Sequence, residues 1–195
     1  IDDMSLGANF ATVNHLLINA LVLEAFQEII PGVKGKLVYF ISHNIARKEV
    51  VNNHISWVHR KGATRAFPAG HHELKGTIYE NTGHPILLPG NPQAGSAVMV
   101  ADEGAVISCY SVNHGAGRAL GRKRAIGELD QATVNQSFED ADILSNCRNY
   151  PKDEAPAAYK AFDEVLRSVK SAGLATEVAR LKARFVIKDG DKADD

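Results

Sequence analysis

The stretch Ile86-Leu87-Leu88-Pro89-Gly90-Asn91-Pro92-Gln93-Ala94-Gly95-Ser96-Ala97-Val98-Met99-Val100 holds two short apolar runs separated by Pro, Gly and amide side chains. Runs this short, bounded by turn residues, read as strands over Ile86 to Leu88 and Ser96 to Val100, with a loop from Pro89 to Gly95 between them. The same signature recurs at Leu37 to Ile41, Ile55 to Val58 and Val106 to Val112. On the N-terminal side Phe10, Val13, Leu17, Ala20, Leu21, Leu23, Phe26 and Ile30 repeat at helical spacing until Pro31-Gly32. That pattern predicts one long helix buried in the core. On the C-terminal side helices are expected at Thr133 to Leu144, Pro156 to Ser171 and Ala175 to Ala183, and a last strand at Arg184 to Lys188. A block of strands followed by helices favours an α+β fold over a doubly wound one.

The 195 residues are 45% hydrophobic and 23% charged, enough to bury a core. A formal net charge of -1 supplies no global field for loose polyanion binding, so any nucleic-acid contact needs a local patch. One such patch is Arg118, Arg122, Lys123 and Arg124, which a solvated helix face would also explain. Two distant cysteines, Cys109 and Cys147, build neither a disulfide framework nor a sulfur cage, which suits a reducing, cytoplasmic setting. Leu16 to Phe26, broken by Asn19 and Glu24, is shorter than the roughly 20 residues of a membrane span, so no membrane is expected. The opening Ile1-Asp2-Asp3-Met4 suggests a piece of a longer protein, and the polar residues 189–195 are expected to be a disordered tail.

Four runs could carry chemistry. In His114-Gly115-Ala116-Gly117-Arg118 the glycines permit a tight turn that brings amides against an anion, the arginine fork suits phosphate, and a neutral imidazole can attack phosphorus. On the residues alone a structural turn is about twice as common a meaning for so short a run. Ser42-His43-Asn44 falls at the expected end of a strand, where an imidazole and an amide could meet a metal or a phosphate, or simply cap the strand. His59-Arg60-Lys61-Gly62-Ala63-Thr64-Arg65 could grip RNA phosphates through Arg60, Lys61 and Arg65, with Trp57 or Phe67 to stack, or be a solvated loop. The loop Pro89 to Ser96 could read a base edge or a ribose, although a β-turn explains its Pro and Gly equally.

Taken together and in this order, these runs resemble the RtcB RNA ligases, and Ala155-Pro156-Ala157-Ala158-Tyr159-Lys160 and Val186-Ile187-Lys188 resemble that family's C-terminal end. The likeness covers Ala8 to Lys188 and implies a C-terminal portion of that fold over 1–188. It implies a GTP- and manganese-dependent ligase that joins an RNA 3'-phosphate or 2',3'-cyclic phosphate to a 5'-hydroxyl through a guanylylated histidine, as in tRNA splicing and RNA repair. By the same resemblance His114 is the nucleophile, His43 a manganese ligand and Asn44 a neighbour of the nucleotide. Pro89, Gly90, Asn91, Pro92 and Ser96 would line the guanosine pocket, Gly115, Ala116 and Gly117 would hold phosphate, Lys188 would contact the nucleotide and Tyr159 the guanine. Arg118 joins Arg60, Lys61 and Arg65 as a candidate for RNA phosphate.

The family's guanosine loop commonly reads Pro-Gly-Ser-Met, whereas Asn91-Pro92 follows Pro89-Gly90 here, so contacts from these two positions should differ. The family's further metal ligands, an Asp, a Cys and two His, belong to an N-terminal half that this sequence lacks. The chain is therefore expected to hold one metal ligand and to need that half, in cis or in trans, for ligation. Two other readings are a metal-assisted phosphoesterase without a covalent step and a catalytically incomplete RNA-binding or partner-binding fragment.

Overall fold

A computed structural model describes residues 1–188, and the tail expected over 189–195 lies outside the described residues. The architecture is α+β, several small sheets with helices, divided into two compact units, 1–65 and 66–195.

In the first unit, helix α1 spans Asp2–Ile29 and none of its residues is buried. The expectation of a core helix is thus corrected, since Leu6, Phe10 and Val13 are among its exposed apolar side chains. The periodicity was real, but apolar spacing reports a face that can be covered, not one that is. By length and composition α1 is also long and apolar enough to cross a membrane. Residues 37–41 form no strand. Strand β1 instead runs over Asn44–Val51 and pairs antiparallel with β2, His54–Lys61, from Asn44 opposite Lys61 to Val51 opposite His54. The turn residues Asn52 and Asn53 both take left-handed φ, 50° and 63°, as a two-residue hairpin turn of this hand requires. A short strand β3, Ala63–Arg65, closes the unit.

The second unit is built on an antiparallel sheet in the order β4-β5-β8, formed by Pro85–Asn91, Gly95–Ala101 and Ala175–Leu181. Alternate residues Ile86 and Leu88 of β4 and Ala97, Met99 and Ala101 of β5 are buried on one face. Helix α4, Phe162–Ser171, contributes Phe162, Leu166 and Val169 to the same core. Their spacing of four and three residues makes one helical stripe, and each such side chain contributes about 1.5–3 kcal/mol on burial. A smaller cluster joins Val134 and Phe138 of α3, Gln131–Asp140, to Ile143, Tyr150 and Ala155. Helix α2, Arg122–Glu128, precedes it, and β7, Leu144–Ser145, lies parallel to β9, Phe185–Val186.

Three further expectations are corrected. The helix expected at Ala175 to Ala183 is β8, because pairing with β5 outweighs the helical preference of its Ala, Glu, Arg and Leu residues. Of the strand expected at Val106 to Val112, the first three residues end a 3-10 helix, Glu103–Ser108; Cys109 and Tyr110 then take left-handed φ of 52° and 51° before β6, Ser111–Asn113. The helix expected from Pro156 is interrupted: a 3-10 turn, Pro156–Ala158, ends at Tyr159, and α4 begins only at Phe162.

Gly95 lies at φ +77°, and a Cβ there would overlap the carbonyl oxygen of Leu181 in β8. Gly95→Ala should therefore cost about 2–4 kcal/mol in urea unfolding, against about 1 kcal/mol for Gly70→Ala. Gly70 has nearly the same φ, +76°, with open space around it.

Candidate functional site

In the first unit His43 immediately precedes β1, and its carbonyl accepts a hydrogen bond from Gly62 N at 2.9 Å. Asn44 Oδ1 accepts from the same N–H at 3.0 Å, so the Ser42-His43-Asn44 run is fastened to the Lys61-Gly62 end of β2. Lys61 stands directly across from Asn44 in the ladder and is exposed. Arg60, on the opposite face of β2, is only 2% exposed. Its guanidinium makes a two-pronged pair with Glu49, NH1 to Oε1 at 2.7 Å and NH2 to Oε2 at 2.6 Å. That geometry occupies the planar fork of Arg60 with the Glu49 carboxylate. Arg65 reaches the same carboxylate at 4.0 Å, and its pKa is lowered, chiefly by burial. Arg65, Arg60 and Arg47 share the wall of a cavity of about 250 Å³ with Ser42, Asn9 and Thr12.

In the second unit the loop after β4 and the glycine-rich run are joined through the main chain. Ala116 N donates to Pro89 O at 3.0 Å. A Cβ on Gly115 would stand 3.3 Å from that same oxygen, so glycine permits the approach. The amide of Ala116 is therefore engaged by the Pro89 carbonyl. Asn113 Nδ2 donates to Gly115 O at 2.9 Å and braces the turn beside His114, which is half-buried. Gly117 turns at φ +76°, and its carbonyl accepts from Lys160 N at 3.0 Å. Asn91 closes the loop: its Oδ1 accepts from Gln93 N at 3.0 Å and Ala94 N at 2.9 Å. Pro92 and Ser96 flank it and are half-buried, and Ser96 lies opposite Pro89 in the ladder. Gly90 must be glycine, because a Cβ would come within 2.6 Å of the Phe162 ring.

Arg118 is similarly committed. It forms an isolated bridge with Tyr159, its guanidinium lies 5.1 Å from that ring's centroid, and it donates to the carbonyls of Leu120 and Asp153. Glu154 gathers the neighbouring cations: Arg122 NH1 at 3.2 Å, Lys188 Nζ at 3.4 Å and Arg118 NH1 at 3.6 Å. Tyr159 donates its hydroxyl to Glu154 Oε2 at 2.6 Å. Burial pushes the Glu154 carboxyl up, but the Tyr159 hydrogen bond and the charges of Lys188 and Arg122 outweigh it and hold the group below its usual range. Tyr159 is pushed up to about 12, by burial first and then by Glu154. Arg124 pairs with Glu128, so the basic run after Gly121 is largely neutralised within the fold.

Glu154 and Asn146, which bonds the backbone of Lys188 on both sides at 2.8 Å, were not singled out from sequence. Neither carries a local motif, since their meaning depends on partners more than thirty residues away. Among the described residues no group of three or more His, Cys, Asp or Glu is arranged to hold a metal ion. His43 alone does not make a manganese centre.

The fold and these two sets of residues define an α+β chain with a fastened glycine-rich turn beside a histidine. The chain belongs to the family described as tRNA-splicing ligase RtcB, whose family model matches residues 1–189. It is 38% identical to the tRNA-splicing ligase RtcB of Pyrococcus abyssi over 95% of its own length and 21% of that protein's. It is 36% identical to that of Thermococcus kodakarensis and 34% to that of Methanococcus maripaludis, covering 95% of this chain in both cases and 40% and 41% of those relatives. The chain thus spans less than half the length of the relatives it matches.

Removing Glu49 would leave Arg60 buried without its counter-charge, so Glu49→Ala should cost about 3–5 kcal/mol in chemical unfolding. The double replacement Glu49→Met with Arg60→Met should cost less, because the buried Arg60 charge leaves together with its carboxylate and only the more distant Arg65 loses that partner.

Proposed function

We propose that this chain is the nucleotide-handling portion of a GTP- and manganese-dependent RNA ligase. It would join an RNA 3'-phosphate or 2',3'-cyclic phosphate end to a 5'-hydroxyl end. The observation that carries the reading is the Ala116 to Pro89 bond, which puts the run bearing His114 beside the loop assigned to guanosine. An imidazole nitrogen of His114 would attack the α-phosphorus of GTP, form a phosphorus–nitrogen bond and release pyrophosphate. GMP would then pass to the RNA 3'-phosphate, and the 5'-hydroxyl would displace it as the joining bond forms. Lys188 and Tyr159 would meet the base, Pro89, Gly90, Pro92 and Ser96 would line the pocket, and Gly115 and Gly117 would permit the approach of phosphate.

Lys61 and Arg65 remain the candidates for RNA phosphate, Lys61 because it is exposed beside Asn44 and Arg65 because it lines a cavity with Arg47. For manganese this chain would supply one ligand, His43, and the rest of the coordination would come from the portion of the relatives that the chain does not span. We place the activity in the cytoplasm, where exposed Cys109 and half-buried Cys147 stay reduced.

Intact-mass spectrometry after incubation with GTP and manganese tests the proposal, using the chain alone and the chain supplemented with the remaining portion of a full-length relative. A GMP-sized gain in the supplemented sample, absent in His114→Ala, is the expected result. No gain in a folded, metal-loaded sample would point to a phosphoesterase or an RNA-binding remnant. The remnant would show salt-sensitive RNA binding that survives His114→Ala.

A further inference from the structure

Two residues assigned to the nucleotide, Tyr159 and Lys188, lie 29 positions apart in the chain, yet both donate to one atom, Glu154 Oε2. The contacts are 2.6 Å from the Tyr159 hydroxyl and 3.4 Å from the Lys188 ammonium. The backbone supports the same arrangement. Asn146 accepts from Lys188 N and donates to Lys188 O, each at 2.8 Å, so the lysine, two residues past β9, is anchored at its backbone. Tyr159 is held on its other side by the Arg118 guanidinium over its ring. Arg122 occupies the other oxygen, Oε1, at 3.2 Å, which keeps Glu154 from rotating away from Lys188.

We propose that Glu154 is the positioning residue that aims Lys188 and Tyr159 at the purine, and that through Lys188 it sets the preference for a 6-oxo over a 6-amino base. This rests on the nucleotide reading given above. An ammonium has three N–H donors and no acceptor. Glu154 takes one and leaves two, which can meet the O6 acceptor of guanine but only oppose the amino group of adenine. Without the carboxylate, a flexible four-carbon stem would not hold the charge at one place. Glu154 itself need not touch the nucleotide.

Equilibrium binding of GMP and of AMP to the 195-residue chain tests the assignment, with the wild type, Glu154→Gln, Lys188→Met and the double variant compared. The wild type should favour GMP. Glu154→Gln should reduce the GMP:AMP ratio by about tenfold, the effect of misplacing one charge-assisted hydrogen bond. Lys188→Met should do the same, and the double variant should lose no more than Lys188→Met alone, because the two act in series. Glu154→Asp keeps the charge and should retain an intermediate ratio, and it provides the comparison if Glu154→Gln does not fold. A Glu154→Gln chain, or a Glu154→Asp chain in its place, with the full wild-type ratio would overturn the role given to Glu154 and leave the nucleotide reading standing. Equal losses for GMP and AMP would likewise reduce Glu154 to a structural staple. A folded wild type with no preference between the nucleotides would overturn the nucleotide reading itself, and the present inference with it.

Discussion

At the turn end of the β4–β5 hairpin the backbone approaches its neighbours more closely than any side chain allows. Gly90 lies against the Phe162 ring, and Gly95 lies against the carbonyl of Leu181. Most of the second unit follows from these contacts. Phe162 packs there as the first residue of α4, and Tyr159 to Ala161 lie outside any helix. That interruption lets Lys160 N reach Gly117 O and lets Tyr159 bridge Arg118. A helix running unbroken from Pro156 would turn those groups inward to its own ladder and detach the glycine-rich run from the C-terminal segment.

The division of labour among the cations follows from side-chain chemistry. Arg60, Arg118 and Arg122 are fixed to Glu49, Asp153, Glu154 and neighbouring carbonyls, where a planar fork holds several oxygens at once. Lysines fill the other role. Lys61 projects from the exposed face of β2, and Lys188 brings a single ammonium to a shared carboxylate. A count of positive charges along the chain would mark Arg118 to Arg124 as the strongest polyanion site. The fold instead uses most of that charge internally.

The strands β4 and β5 were legible because their burial alternates and Pro-Gly and Gly residues bound them. Residue types and spacing also marked His114 and its glycines as a candidate phosphate turn. Other elements were hidden for identifiable reasons. β1 carries Arg47-Lys48-Glu49 at its centre, which masks its alternation, although the Asn52-Asn53 pair was a usable hairpin signal. β8 has a helix-forming composition and becomes a strand only because β5 presents an edge to it. For α1, the sequence pattern defined an apolar surface but held no information on what would cover it. Glu154 was invisible because its role is assembled from Tyr159 nearby and Lys188 far along the chain.

The attachment of the glycine-rich run to the loop after β4 uses a main-chain N–H and a main-chain carbonyl. A peptide group offers the same donor and acceptor whatever side chain it carries, proline's missing N–H excepted. Asn91-Pro92 can therefore replace the Ser-Met of the family pattern without unfastening the turn, the more so because Asn91 closes its own loop. Mutational drift in the loop after β4 is thereby uncoupled from the placement of His114. The turn that bears His114 thus keeps its place beside a loop whose side chains can change.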